Sequence, residues 1–417
     1  MIDRSLSAAA SGIETMQTQL DVIANNIANS QTVGFKSGTA EFQNLLSDVL
    51  TPAGAPGADS GSINPSSVGS GAGLAGIHTD FAEGAIAQTG VATDVAIAGN
   101  GFLVVDTNGQ IGYTRDGQLQ LDTNGRLTEP NGGLVLGWQP GQPTSSAPGP
   151  LSIITGSTEP PSQTMNVNLG GNLDSTSTSP VNVTTSMIDS LGTSVPVTLT
   201  FTPTGPNAWS LQGTVAGAAS SLWASPQTVT FGSNGQMATI NGAAVGTGAT
   251  TLAITNAPSN YTWATGAPSL VLPAVGSQNA LTQFANSSTV AVSSQDGYAS
   301  GVLQSYGIGA NGTITGTYSN GQTQARGTIA LAQFANPNGL IDTGATYFQP
   351  SAASGNPRLG APGDGGLGTL QGGAVEGSNV DLAAQLTSLI EAQTAYQANT
   401  KVVNSSSAVL TSLIQMA

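Results

Sequence analysis

The sequence predicts a multidomain α+β protein. N- and C-terminal helices form an α-helical coiled-coil domain, and two mainly antiparallel all-β domains of sandwich or barrel type follow, the outer one inserted into the inner one. Three observations predict this. Both ends carry heptad spacing of apolar residues, the interior repeats Asn-Gly turns between short alternating runs, and the composition shifts part-way through that interior.

At the start, Ile2, Leu6, Ala9, Ile13, Met16, Leu20, Ile23 and Ile27 follow at alternating gaps of four and three. Asp3 or Ser5 is placed to cap this helix, and the Asn29-Ser30 region to end it. At the other end Ser378 to Asp381 reads as a capping box. Behind it runs an apolar column of Leu382, Leu389, Tyr396, Val403 and Leu410. Its companion column, Leu386, Gln393, Thr400, Ser407 and Ile414, is apolar only at its ends. A period of 3.5 implies a left-handed supercoil against a partner helix. At 1.5 Å per residue the two segments span roughly 39 and 55 Å, so antiparallel pairing leaves about two turns or more of the longer one uncovered. Uncovered seam calls for a second molecule, which points to self-assembly.

Between the ends, Phe102–Asp106 and Ile111–Arg115 flank one Asn-Gly turn, and Leu119–Asp122 and Arg126–Thr128 flank another. Both central positions of a type I′ turn need positive φ, which Asn-Gly tolerates. The pattern recurs at Asn234, Asn241, Asn311 and Asn320. Residues 172–283 are dominated by Thr, Ser and Ala, whereas 77–138 and 284–350 share the Asn-Gly turns. The expected organisation is therefore terminal helices at 1–30 and 374–417, linkers at 31–76 and 351–373, a first β-domain at 77–149 plus 284–350, and an inserted second one at 150–283.

Composition excludes several functions. Charged residues are 7% of the 417, and seven Lys+Arg against 22 Asp+Glu leave a net charge of -15. No basic stripe exists to displace counterions from nucleic acid or to hold an anionic membrane. Cysteine is absent, which removes disulfides and thiolate chemistry. No apolar run approaches the ~18–20 residues of a membrane span, and the N-terminus lacks the features of a cleaved signal peptide. His78 is the sole histidine, so a Ser/His/Asp triad or a metal centre has little to draw on. The two G-x-G-x-x-G stretches, from Gly71 and from Gly363, lack the strand-to-helix setting that cradles phosphate. Asp106 and Asp122 open turns rather than calcium loops. The reading is a non-enzyme with no cofactor and no metal.

Certain residues also carry a resemblance. Asn25-Asn-Ile-Ala-Asn-Ser30 followed by Gly34-Phe35-Lys36 resembles the N-terminal signature of the bacterial flagellar rod and hook axial proteins, with Asn25, Asn26, Asn29, Gly34, Phe35 and Lys36 as the signature positions. Asp94 to Phe102, Tyr113 to Gly117 and Gly137-Trp138 resemble the β-domain of that family. Glu376 to Leu382 and Ala392-Gln-x-x-Tyr396 resemble its C-terminal helix, and Phe334 to Leu340 with Gly171 to Ser175 resemble hook subunits in particular. The resemblance implies a tube of helically arranged copies with the terminal helices innermost. It also implies export without cleavage through the flagellar type III apparatus, an extracellular place in the hook and basal body, and a role as a bending joint that passes motor torque to the filament. Implied partners are further copies of the chain, the distal rod, the hook cap and the hook-filament junction proteins. The apolar helix residues would mediate assembly, and Gln393, Thr400 and Ser407 would face the lumen or a solvated groove. The long Thr51–Gly76 tract keeps a distal rod subunit open as an alternative. A secreted β-rich polysaccharide-active enzyme and a surface adhesin are the rivals from other classes.

Overall fold

The computed structural model describes residues 2–53, 62, 64–216 and 221–416, without the side chains of Ile2, Asp3 and Leu413. Part of the expected Thr51–Gly76 linker, 54–61 and 63, thus lies outside the described residues. The chain forms two compact units: Met1–Ile154 with Tyr306–Thr315 and Ala325–Ala417, and Thr155–Ser305 with Gly316–Gln324.

In the first unit, helix α1 runs Ile2–Ala28. The Asn29 amide and side chain both return to the Asn25 carbonyl, at 3.1 and 3.0 Å, and so close its last turn. Strands β1 (Gly38–Asn44), β2 (Ser47–Thr51), β3 (Ser66–Gly69) and β4 (Ala72–Thr79) follow. β1 pairs antiparallel with β4 and β2 with β3. The expected linker at 31–76 is therefore largely paired strand. A backbone ladder forms whatever the side chains are, so a Gly, Ala and Ser composition does not preclude it. His78, in β4, pairs with Glu41 of β1 at 3.2 Å on an exposed face.

Strands β5 (Ile86–Gln88), β6 (Val95–Ala98), β7 (Phe102–Thr107) and β8 (Gln110–Thr114) build the β-core of this unit. β7 and β8 form the expected hairpin, with Asn108 at φ 55° and Gly109 at φ 86° in its turn. Asn241-Gly242 shares that geometry. At the other four sites only the glycine has positive φ. There a side-chain oxygen satisfies an amide ahead of it: Asn234, Asn311 and Asn320 reach two residues on, and Asp122 serves both Asn124 and Arg126. Residues 369–372 pair with β6, 374–376 with β5, and 358–360 with 331–333. The expected linker at 351–373 is thus also corrected: it belongs to the β-core, and its glycines make the turns. Phe102, Tyr113, Trp138, Phe334 and Phe348 centre the core, with ring pairs meeting edge to face at 4.9–5.9 Å.

Beside that core, Glu129 is 2% exposed and accepts the Tyr347 hydroxyl, while its Oε1 has no partner among the described residues. Burial pushes its carboxyl up to about 7 from the ordinary 4.5. The folded state therefore holds the proton more tightly than the unfolded state. This contribution to stability is complete below about pH 4.5 and disappears as pH rises through 7. Glu129→Gln is expected to remove that slope, worth at most about 3 kcal/mol, in urea unfolding compared at pH 4.5 and pH 8. An unchanged slope would contradict the assignment.

Among the described residues, two whole sheets lie in the second unit. Six antiparallel strands run in order from Val181–Ile188 to Ala243–Ala244. Asn166–Asp174 centres the other sheet, pairing parallel with Ser269–Leu272 and Leu281–Phe284 and antiparallel with Ala291–Gln295. Their shared core includes Phe201, Trp209, Trp223, Leu169 and Leu272. Residues 284–305, expected in the first β-domain, belong here, because Ala291–Gln295 completes this sheet.

Candidate assembly surface

Helix α2 spans Leu382–Met416. Asp381 caps it, its Oδ1 accepting the amides of Ala383 and Ala384 at 2.9 and 3.2 Å. Ser378, expected to lead a capping box, instead accepts the Val380 amide outside the helix. Ser5 meets Ser406 at 3.3 Å, Gly12 abuts Asn399, and Asn26 donates to Gln385 at 3.3 Å. One antiparallel register satisfies all three, residue n of α1 lying opposite residue 411−n of α2.

The faces that meet are small and polar. On α2, Ala392 is buried, and Ser388, Ala395, Asn399 and Ser406 are half-buried. On α1, Ala9, Thr15, Ile23 and Asn26 are buried. A Cβ on Gly12 would come within 2.7 Å of Asn399, so the helices approach closely there. The apolar columns, expected to face each other within and between copies, thus do not make the contact within one chain. Bulky columns hold helix axes apart; small residues let them close.

The predicted residues consequently divide. Ile23 is buried, and Leu6, Ile13, Met16, Leu20, Ile27, Leu389 and Val403 are half-buried. Leu382 (43%), Leu386 (51%), Tyr396, Leu410 and Ile414 (76%) are exposed. The Ile2 side chain lies outside the described residues. Ile390 (62%), Val402, Val409 and Met416 join the exposed set, which the heptad columns did not include. At 100° per residue, both apolar stripes lie about 100° from the contact line. Because the helices are antiparallel, those rotations bring the stripes to the same side of the pair. They make one apolar face, largely exposed on its α2 half and half-buried on its α1 half. Gln393 and Ser407 are exposed in the middle of its α2 half, with half-buried Thr400 bonded to the Tyr396 carbonyl at 2.9 Å. α2 has 35 residues against 27, so about two turns, carrying Leu410, Ile414 and Met416, extend past the start of α1. Leu46, Val49 and Leu50 are exposed on the nearby hairpin.

The signature positions fix the root of the pair. Asn26 donates to the Gly38 carbonyl at 2.8 Å and accepts its amide at 2.9 Å. Asn25 and Asn29 bond to each other, and Phe35 is half-buried beside them. Lys36 Nζ reaches Glu376 Oε1 at 2.5 Å and the Ala82 carbonyl at 2.7 Å. Arg115 Nη1 meets Glu376 Oε2 at 3.1 Å, its Nη2 donates to the Gly99 carbonyl, and its guanidinium lies over the Phe102 ring. The Gly84 amide completes the carboxylate. Lys36 and Glu376 side chains are 0% exposed and Arg115 is 3%. Burial lowers the Lys36 pKa, with Glu376 opposing it. The triad thus ties the residues after α1 and before α2 to β8. Sequence reasoning named Lys36 and missed Arg115 and Glu376 as its partners, since separations of 79 and 340 residues leave no local trace.

Gly34 has φ +70°, donates to the Glu376 carbonyl at 2.8 Å, and leaves only 2.6 Å between a Cβ and the Asp116 amide nitrogen. Gly34→Ala is expected to cost at least about 2 kcal/mol, seen as a lowered urea midpoint. A midpoint equal to the parent's would contradict this packing.

Sequence models of four families match: Flagella basal body rod protein at 6–36, Flagellar hook protein FlgE/F/G D1 domain at 96–193, Flagellar basal body protein FlaE D2 domain at 172–298, and Flagellar basal body rod FlgEFG protein C-terminal at 371–416. The chain is 34% identical to the flagellar hook protein FlgE of Borreliella burgdorferi over 442 aligned positions, covering 99% of each. It is 34% identical to FlgE of Escherichia coli, covering 99% of this chain and 100% of that one. The chain belongs to the flagellar hook protein family. Lys36, Arg115 and Glu376 fall in three separate matched segments of this hook protein family, so the triad joins pieces that the models treat apart. The Helicobacter pylori hook protein FlgE2 shares the fold, with a TM-score of 0.50 at 14% identity over 68% of this chain and 99% of that one. Among the described residues no helix is long and apolar enough to cross a membrane.

Proposed function

We propose that this chain is the repeating subunit of a flagellar hook, and that copies associate helically through the apolar face of the α1–α2 pair. The α2 residues that α1 leaves exposed carry this reading. The antiparallel pair acts as the inner coiled-coil layer, and the β-domains, the second inserted into the first, extend outward. Burying a Leu or Ile contributes ~1.5–3 kcal/mol, so six or so such residues per copy outweigh any polar contact in a chain this poor in charge. The polar patch of Gln393, Thr400 and Ser407 faces water in the assembled state, at the lumen or in a groove between copies. Weak Ser, Thr and Asn contacts between outer domains let neighbours tilt, as a bending joint that transmits torque requires.

In this reading the subunit lies outside the cell in the flagellum, exported uncleaved by the flagellar type III apparatus. Its neighbours there are the distal rod, the hook cap and the hook-filament junction proteins. Electron microscopy of the purified chain, with and without residues 1–30, tests the reading. Tubes are expected only from the full chain. Tubes from both would overturn the role of the helices, and tubes from neither would overturn assembly itself.

A further inference from the structure

The outer edges of the helix pair are complementary in charge. Ser7, Ala10, Glu14, Gln17, Asp21 and Ala24 are exposed and follow at gaps of three and four, so they line one edge of α1. Buried Ala9, Ile23 and Asn26 lie on its other side, toward α2. On α2, exposed Ile390, Gln397 and Lys401 lie opposite Ala392, Ala395 and Asn399.

Lys401 stands apart from the other cations. Arg4 pairs with Asp48, Lys36 and Arg115 with Glu376, and Arg126 with Asp122. Arg358 donates to the Gly365 carbonyl at 3.2 Å, and Arg326 is engaged too. Of seven Lys+Arg, Lys401 alone has no partner among the described residues. Each copy carries a net charge of -15, so assembly brings like charge together and a cation facing a neighbour's acid offsets part of that repulsion.

We propose that Lys401 of one copy pairs with Glu14 of the next, the outer edge of α2 lying against the acidic outer edge of the neighbouring α1. This pairing rests on the assembly reading above. In the helix register Lys401 is level with Ala10. With copies side by side, Glu14 is about one turn away, within reach of a lysine side chain, and Asp21 about three turns away, beyond it.

The test is charge reversal read by the critical concentration for polymerisation. Lys401→Glu and Glu14→Lys are each expected to raise it about fivefold at low salt, and the double variant to restore it. Asp21→Lys is expected to change it less than twofold by the same reasoning, and high salt to erase all the differences. Single variants that match the parent, or a double variant no better than the singles, overturn the pairing. The chain has no cysteine, so Glu14→Cys/Lys401→Cys with a short bismaleimide gives a second readout. A covalent ladder of copies supports the pairing, and its absence from formed polymer overturns it. A parent chain that forms no polymer overturns the assembly reading and this pairing together, whereas polymer indifferent to these charges overturns only the pairing.

Discussion

Glu376→Gln is expected to be among the most damaging single substitutions in the chain. It leaves Lys36 and Arg115 as buried cations without an anion, at side-chain exposures of 0% and 3%. Removing one partner of a buried ion pair costs ~3–5 kcal/mol, because the remaining charge keeps its desolvation penalty. In a unit of this size that corresponds to a fall in Tm of roughly 10 °C or more. The glutamine side chain keeps one oxygen that can still accept the Gly84 amide, but it turns an NH2 donor toward a buried cation. The helix pair then loses its seat on β8, and polymer formation should fail at concentrations where the parent assembles. A thermal melt within about 2 °C of the parent would show that the triad contributes little to the fold.

Leu386→Asp combined with Ile390→Asp should have the opposite signature. Both side chains are more than half exposed in the single chain, so the monomer should melt as the parent does. If assembly buries them, losing about 1.5–3 kcal/mol at each position raises the critical concentration roughly a hundredfold or more. Leu20→Asp should also block assembly, but because Leu20 is half-buried it should lower the Tm as well. Sedimentation of the double variant against the parent separates the two effects. Assembly at the parent's concentration would mean that these two side chains lie outside the contact.

Much of this fold was legible in the sequence, and the parts that were not share a cause. Heptad spacing located both helices, and Asn108-Gly109 located the β7–β8 hairpin with its register. Apolar periodicity marks which face of a helix avoids water in the end. It does not say which molecule covers that face. Within one chain α1 and α2 meet through Gly12, Ala392, Ala395 and Asn399, residues with little apolar signal, while Leu386 and Ile390 remain uncovered. Composition misled at 31–76 and 351–373 for a related reason. Strand pairing there rests on backbone hydrogen bonds and on Asn26 clamping Gly38, to which a count of Gly, Ala and Ser is blind. The Lys36–Glu376–Arg115 triad was legible only as signature residues, since its partners come from three distant parts of the chain.

A high-resolution electron cryomicroscopy map of the assembled polymer resolves which surfaces join the copies. Leu382, Leu386, Ile390 and Ile414 of one copy should be buried against the helices of adjacent copies. A polymer in which those side chains still face bulk water, with copies joined through their β-domains alone, would contradict the account.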